Sequence, residues 1–420
     1  MTLRVAVIGA GAAGLSTAWE LLGHGCTVEV FESNNGIAEG ASFASTGLLG
    51  ASALAAWDFA GPPPVPQGRA ASLLPPAWAL TVPGMVFWRQ RLSHQSTERQ
   101  DTLFAAAQAL AQLTDQCVDT HLHSTLQDIE TTAGAVVAWK SESQRQQLSG
   151  GVERIGRTPG ALRELDPTQA RALETAVGPD MVFAGAIALP GDRVINGRQW
   201  LARLKHDIVQ LGGVVHTRSR VTGLDASGTV HVSAEDHSGT GSLAFDAVVV
   251  CAASDSAALV KPLGIELPML VLSHCSLSAP IREATHAPST AWIDADERIV
   301  ISRTGQRLRA SGGTLVPGAS PKAVFKSLYR AVEDWFPGAT TLHGDKALVQ
   351  TWQSCVGHTA DGLPLVGATH QPRIWVNAGH GGRGWTFAAG ASRLLAELIT
   401  GQTPSIDPSC LAPLRSMRGG

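Results

Sequence analysis

The sequence predicts an α/β chain, α+β overall, in which a parallel sheet flanked by helices carries an inserted unit built mainly on an antiparallel sheet. Three observations predict it. A strand, a glycine-rich turn, a helix and a second strand follow one another within residues 4–32. A second strand, glycine turn and helix occupy residues 373–400. Between them, residues 268–316 read as short strands with no helix among them.

Composition sets the bounds. The chain has 420 residues, 44% hydrophobic and 16% charged, enough to bury a large core in two or three structural units and too apolar for a disordered chain. Its 32 Lys+Arg and 35 Asp+Glu give a formal net charge of −3, and no basic run stands out, which excludes a nucleic-acid binder. Six cysteines, at 26, 117, 251, 275, 355 and 410, show no Cys-x-x-Cys spacing. They predict neither a disulfide scaffold nor a metal site, and they suit a reduced compartment. No apolar stretch reaches the roughly 18 residues of a spanning helix. Arg4 and the apolar run after it have the outline of a signal peptide, but Glu20 and the glycine pattern argue against one. A cytoplasmic location is therefore expected.

Arg4 to Ile8 reads as a short buried strand. Gly9-Ala-Gly11-Ala-Ala-Gly14 follows, then helical character from Leu15 to Leu22, then a strand from Cys26 to Phe31 that ends at Glu32. Each part has a task in holding a dinucleotide. Gly9 permits the tight turn, Gly11 lets backbone approach a pyrophosphate, and Gly14 lets the helix pack closely on the strands. The helix N-terminus turns N–H groups and a positive dipole end toward phosphates. Glu32 stands where a carboxylate accepts hydrogen bonds from ribose hydroxyls, and it disfavours a 2′-phosphate. The unit predicts a Rossmann-like dinucleotide-binding domain. The motif alone does not separate FAD from NAD; its place at the start of the chain, before an unusual small-residue segment, favours FAD.

That segment, Gly40 to Gly50, is small and uncharged and suits a loop lying flat on a planar ligand. Residues 61–84 are proline-rich and read as an extended excursion. Residues 97–126 read as a helix with Leu103, Leu110, Leu113 and Val118 on one face, and with His121 and His123 near its end as surface residues. A short helix and turn is expected over 160–174, and an amphipathic helix over 197–211 that Gly212-Gly213 ends. Strands are expected at 214–217, 229–233 and 246–251, the last returning to the first sheet. The second sheet takes Met269 to Leu272, Ala291 to Ile293, Arg298 to Ser302 and Gln306 to Ser311, and a helix follows over 320–335. Arg373 to Asn377 is a buried strand leading through Gly379-His380-Gly381-Gly382-Arg383-Gly384-Trp385 into a helix from Thr386 to Thr400.

On these motifs the chain resembles the FAD-dependent amino-acid oxidoreductase superfamily, most closely its D-amino acid dehydrogenase small-subunit type, with glycine oxidase and sarcosine oxidase as cousins. The likeness rests on residues 5–14, Glu39 to Gly47, Gly191-Asp192, Arg303 to Arg309, Asp361 to Gly367 and Asn377 to Trp385, and it runs through nearly the whole chain. It implies a Rossmann-like FAD-binding domain made of 1–60, 190–262 and 345–420, with an inserted, mainly antiparallel-sheet substrate domain at 61–189 and 263–344. It implies that Gly9, Gly11, Ala13, Gly14 and Glu32 hold the ADP moiety and that Val221 offers backbone to adenine. Ser42, Ser45, Thr46 and Gly47 would line the isoalloxazine. Gly379, His380, Gly381, Gly382, Gly384, Trp385 and Thr386 would approach the ring near N1 and C2=O. The implied activity is oxidation of an amino-acid C–N bond by hydride transfer to flavin N5, giving an imine and then a 2-oxo acid and ammonia. A quinone or another acceptor would take the electrons, and a peripheral contact with the inner membrane would need no spanning helix.

Two departures from the family bear on the substrate. Where relatives carry Arg-Pro ahead of a Thr-Pro-Asp-Gly run, this chain has Val356, so the guanidinium that clamps the substrate carboxylate is missing. Leu272-Ser-His274-Cys275-Ser276 stands where relatives often have Lys-Gly-Tyr, and the one tyrosine, Tyr329, lies in an expected helix. Positive charge is then expected from Arg383, Arg303 or Arg309, with Leu49, His274 and His358 as further pocket residues. Otherwise the substrate lacks a carboxylate. Cys355 falls near the place where sarcosine-oxidase relatives tether flavin. Two other functions stay open: a glycine- or sarcosine-type amine oxidase using oxygen, and a non-catalytic flavin-binding subunit.

Overall fold

A computed structural model of the chain describes residues 2–43, 45–52, 82–94, 96–123, 129–158, 160–234, 240–315, 319–344 and 348–415. Nearly all of the expected proline-rich excursion lies outside the described residues.

The first unit forms as its glycine spacing predicts, with β1 (Arg4–Ile8), α1 (Ala12–Gly23) and β2 (Thr27–Phe31). β3 (Leu48–Leu49), α2 (Val82–Ser93), α3 (Thr97–His123), β4 (Thr131–Trp139) and α4 (Glu142–Gly156) follow. Next come β5 (Arg163–Leu165), α5 (Pro167–Leu173), β6 (Gly185–Ile195) and α6 (Gly197–Gln210). A cluster of strands succeeds them: β7 (Val214–His216), β8 (Ser219–Leu224), β9 (Thr229–Ala234), β10 (Thr240–Ala244) and β11 (Ala247–Val250). After α7 (Ser256–Val260) the chain forms β12 (Met269–Pro280), β13 (Ala291–Asp294), β14 (Ile299–Thr304), β15 (Arg307–Leu315) and α8 (Lys322–Trp335). It closes with β16 (Gln350–Thr359), β17 (Leu365–Ala368), β18 (Ile374–Ala378) and α9 (Gly384–Ile399).

The first sheet has the order β7-β2-β1-β11-β18-β17, parallel from β7 to β18 and antiparallel at β17. Both faces are covered, which is why its strands read as unbroken apolar runs. Val5, Val7, Val30 and Val249 pack with Leu15, Leu204 and Leu394 of α1, α6 and α9. Ala6, Ile8, Val248 and Val250 face the other way, toward Val230 and Val232 of the small antiparallel sheet β10-β9-β8. α9 is buried almost all round. Gly390 lets it cross α3 closely, since a Cβ there would stand 2.6 Å from the Leu110 carbonyl oxygen.

The second sheet runs β16-β12-β15-β14-β13-β4-β6-β3, with β5 beside β6, and is antiparallel except where β13 meets β4. α8 covers one face, burying Trp335 and Phe336 against Trp292. Gln350–Thr359 is an edge strand of this sheet, although its sequence position falls within the 345–420 segment expected for the cofactor unit.

Two expectations need correction. The stretch 160–174 is a short strand followed by a helix, because Asp166 caps the helix by accepting from the Gln169 N–H at 2.8 Å. His121 is not a surface residue. It is 1% exposed, accepts a hydrogen bond from Trp200 Nε1 at 3.1 Å and donates through Nε2 to Asp207 at 2.8 Å. Burial lowers its pKa from the ordinary 6.5, against the opposing pull of Asp207. The side chain of His123 is outside the described residues.

Candidate active site and cofactor cleft

The first glycine turn opens a cleft of about 330 Å³ lined by Gly9, Gly11, Glu32, Asn34, Ser42 and Val221. Gly9 sits at φ +103°, and a Cβ there would stand 2.6 Å from the Cys251 carbonyl oxygen. A Cβ on Gly14 would stand 1.8 Å from the Gly9 carbonyl oxygen, so α1 packs on the turn only with glycine at this position. Glu32 is 7% exposed. Its Oε2 accepts from the Ala10 N–H at 2.8 Å, and its Oε1 accepts from the Asn34 N–H at 2.9 Å and the Asn34 amide at 2.8 Å. Oε2 keeps a lone pair for a further donor. Trp352 lines the same cleft with its Nε1–H buried and without a hydrogen-bond partner among the described residues.

A second cavity, of about 250 Å³, lies where the N-terminal turn of α9 faces the second sheet. Ser45, Thr46, Leu48, Gly379, Gly381, Gly382, Trp385 and Thr386 line it from the cofactor side. His274, Arg298, Ser311, Thr314 and His358 line it from the second sheet, and Phe87 and Arg91 from α2. A narrower space bounded by Ala12, Ser42, Ser45, Val356, Gly381 and Gly384 shares residues with both cavities and joins them.

The small-residue loop is held from behind. Arg309 Nη1 donates to the carbonyls of Phe43 and Ser45, both at 3.3 Å, and Ser302 Oγ donates to that of Thr46 at 3.0 Å. Three carbonyls of the loop thus turn toward the second sheet. Burial, together with Arg198 and Arg307, pushes the Arg309 pKa down to about 10.

The second glycine turn fixes a histidine tautomer. The Asn377 amide nitrogen donates to Thr17 Oγ1 and Ser392 Oγ, both at 3.2 Å, which leaves Asn377 Oδ1 as the acceptor facing His380 Nε2 at 2.9 Å. His380 must therefore donate from Nε2 and carry its lone pair on Nδ1. Nδ1 is buried and finds no partner among the described residues. Burial, opposed by the bond to Asn377, pushes the His380 pKa down to about 4, so the ring is neutral at pH 7. Nearby, His274 Nε2 and His358 Nε2 lie 2.9 Å apart, with their rings 12° from parallel. One must donate and the other accept, so the two rings share one proton between them. They pack on the turn: a Cβ on Gly381 would stand 2.9 Å from His358 Nδ1, and one on Gly382 would stand 3.1 Å from His274 Cε1.

The structure brings most of the expected residues together and leaves some apart. Gly9, Gly11, Glu32, Ser42 and Val221 line the nucleotide cleft. Ser45, Thr46, Gly379, His380, Gly381, Gly382, Trp385, Thr386, His274, His358 and Arg383 line the second cavity, and Gly384 lines the space between the two. Ala13, Gly14, Gly47 and Leu49 support the walls without lining them; a Cβ on Gly47 would stand 2.1 Å from the Ile195 carbonyl oxygen. Arg303 lines neither cavity, since its Nε donates to the Gly305 carbonyl at 3.0 Å, and Arg309 acts behind the loop. Cys355 lies at the nucleotide end, with Sγ 3.3 Å from Ser273 Oγ, and is absent from the lining of the second cavity. Arg91, Arg298 and Trp352 escaped the sequence reading, because no motif surrounds them.

These observations fit a flavin dinucleotide. Two joined cavities suit a long two-part cofactor. The buried Trp352 N–H can donate to its ribose or phosphate oxygens, and the lone pair of His380 Nδ1 awaits an N–H donor of the kind a flavin carries.

Comparison with known proteins agrees. The DAO family model, described as FAD dependent oxidoreductase, matches residues 4–398. A D-amino acid dehydrogenase of Cereibacter sphaeroides is 32% identical, with 97% of this chain and 94% of that protein covered. One of Methylobacterium radiotolerans is 30% identical, with 98% and 99% covered. Among solved structures, glycine oxidase from Geobacillus kaustophilus superposes with a TM-score of 0.72 at 19% identity over 99% of each chain. Iminodiacetate oxidase from Chelativorans sp. BNC1 superposes with a TM-score of 0.72 at 19% identity, with 98% of this chain and 99% of that one covered. At such identities the structural likeness speaks to the fold.

Proposed function

We propose, from the premise that this chain belongs to the DAO family of FAD-dependent oxidoreductases, that it oxidises the C–N bond of a D-amino acid to an imine, which water converts to a 2-oxo acid and ammonia. One observation carries the reading beyond the names of its relatives. The cavity at the second glycine turn presents guanidinium groups, which donate to a carboxylate, and imidazoles, which can accept from an amine.

FAD, when bound, supplies the acceptor for the hydride that leaves Cα. The protein's part is to bind, orient and shield. Gly9, Gly11 and the N-terminus of α1 would hold the pyrophosphate, and Glu32 the ribose. His380 would stand against the ring system and offer Nδ1 as an acceptor. Arg383 and Arg91 take the place of the missing guanidinium at Val356 and hold the substrate carboxylate. Each is braced by a carbonyl of one turn: Arg383 Nη1 donates to Gly362 at 3.0 Å, and Arg91 Nη1 to Ala360 at 3.3 Å. An amino acid must lose an ammonium proton before its Cα–H bond can break as hydride. The His274–His358 pair, which lines the cavity, takes that proton. Leu48, Phe87 and Trp385 restrict water at the reacting centre.

The test is an anaerobic absorption spectrum of the flavin-loaded protein mixed in turn with D-amino acids, glycine derivatives and simple amines. Bleaching by a D-amino acid is the expected result, and no bleaching by any carboxylate-bearing amine overturns the reading. The reading includes an electron acceptor other than oxygen, which the dehydrogenase names of its relatives support, and a quinone is the class we propose for it. Stoichiometric hydrogen peroxide formation in air would overturn that part.

A further inference from the structure

The orientation of the Asn377 amide is fixed from the first glycine unit. The Ala13 carbonyl of α1 accepts from Thr17 Oγ1 at 2.7 Å and from Ser392 Oγ at 3.0 Å. Thr17 Oγ1 is also within 2.9 Å of Ser392 Oγ, to which it can donate instead. In either arrangement both hydroxyl protons are used within this group, and only lone pairs are left to face Asn377. The amide must therefore turn its NH2 toward the hydroxyls and its Oδ1 toward His380 Nε2. Thr17, Asn377 and Ser392 are all buried, so bulk water does not compete with these bonds.

This chain of bonds starts on α1, passes through α9 and the end of β18, and finishes on His380, which lines the second cavity. What it delivers there is a lone pair. Nδ1 finds no partner among the described residues, and it can take a proton only if the ring becomes a cation or gives up the bond from Nε2. Burial opposes the cation, pushing the pKa down to about 4. The sign matters to a ring that gains electrons. On reduction a flavin becomes electron-rich, so its N–H groups turn into weaker donors and its acceptor atoms into stronger ones. A lone pair beside it favours the oxidised ring, and a proton there favours the reduced one.

We propose that Asn377, braced by Thr17 and Ser392, is a positioning residue that sets the flavin reduction potential: it holds His380 as an uncharged acceptor, so that this turn offers the reduced ring no proton and keeps the two-electron potential low. The proposal rests on His380 standing against the flavin, as in the reading above, and not on which amine is oxidised. A flavin of low potential gives up its electrons readily, which suits transfer to a separate acceptor.

The test is the midpoint potential of the flavin-loaded protein, measured by anaerobic titration against reference dyes. Asn377→Leu keeps the bulk of the side chain but removes the acceptor, which frees His380 to move its proton to Nδ1 when the ring is reduced. The potential should rise by at least about 30 mV, a tenfold shift in the two-electron equilibrium. The same substitution is then made in His380→Leu protein, where the rise should vanish because the effect runs through His380. An unchanged or lowered potential in Asn377→Leu, or a rise that survives without His380, would overturn the inference. A second readout leaves Asn377 untouched, in case its variant folds poorly. In protein carrying isotope-labelled histidine, the nitrogen signals absent from His380→Leu belong to His380. They should show a neutral ring protonated at Nε2, with an Nδ1 that shifts when flavin is loaded. A proton on Nδ1, or an Nδ1 unmoved by flavin, would overturn the inference as well. None of these outcomes touches the bleaching of the flavin by D-amino acids, so the two readings fail separately.

Discussion

At the scale of single residues, one arginine holds a wall of the active site from outside it. Arg415 meets the Asp361 carboxylate with Nε at 2.7 Å and Nη2 at 2.9 Å, and it also donates to the carbonyls of Leu363 and Pro364 at 2.7 and 3.0 Å. Burial alone would raise the Asp361 pKa; the guanidinium reverses this and brings it below the usual 3.8. Arg415→Met should leave that carboxylate buried and unpaired, at a cost of about 3–5 kcal/mol. The turn that braces Arg91 and Arg383 would loosen with it. A lower unfolding midpoint together with faster flavin release checks this, and an unchanged midpoint would refute it. Glu20 behaves in the opposite sense. Burial, only partly opposed by Arg393 and the Cys117 thiol, pushes its pKa from 4.5 up to about 7. The native state therefore keeps a proton that the unfolded chain releases near pH 4.5. The resulting stabilisation is present at low pH and fades as the pH rises through about 7. Glu20→Gln should remove this slope, so that the variant gains stability over the parent between pH 5 and pH 8, on the order of a few kcal/mol. Thermal melts of both proteins at the two pH values check it.

At the scale of elements, the two glycine turns differ in what they demand. The first is a packing joint. Gly14→Ala would place a Cβ against the Gly9 carbonyl oxygen and force α1 off β1. The expected outcome is protein purified with little flavin and a lower midpoint, read from the ratio of flavin to protein absorbance and from a thermal melt. The second turn is a hydrogen-bonding device, in which Asn377 dictates the tautomer of His380. Both units were legible in the sequence because glycine spacing and apolar runs are local signals. The strands β4, β6, β8, β10 and β16 were not. β16 opens Gln350-Thr-Trp-Gln with Gln350, Thr351 and Gln353 exposed, so no apolar alternation announces it, and only its pairing with β12 makes it a strand. His121 misled for the same reason: Trp200 and Asp207, which bury and satisfy it, lie far along the chain. Arg91 and Arg298 were invisible because nothing adjacent to them marks a site. Their meaning comes from the cavity that the sheet assembles around them.

At the scale of the whole molecule, the cofactor site is built from the two ends of the chain. Gly9, Glu32 and Ser42 face Trp352, Gly381 and Trp385 across the joined cavities, and β1 lies between β2 and β11 with β18 next in the sheet. No N-terminal piece that stops before residue 350 should retain flavin, even though it contains the whole first glycine motif. Expression of residues 1–345 and a spectrum of the purified fragment check this; a yellow fragment would refute it. The same arrangement has a consequence in time. A ribosome releases the first glycine turn early and the residues that complete its cleft more than three hundred positions later. At about 5–20 residues per second, a nascent chain spends tens of seconds with one half of its dinucleotide site made and the other still to come. Through that interval Gly9 can already hold its N–H bond to the Phe31 carbonyl, and the flavin is captured only once the residues around Trp352 and Gly381 have been made.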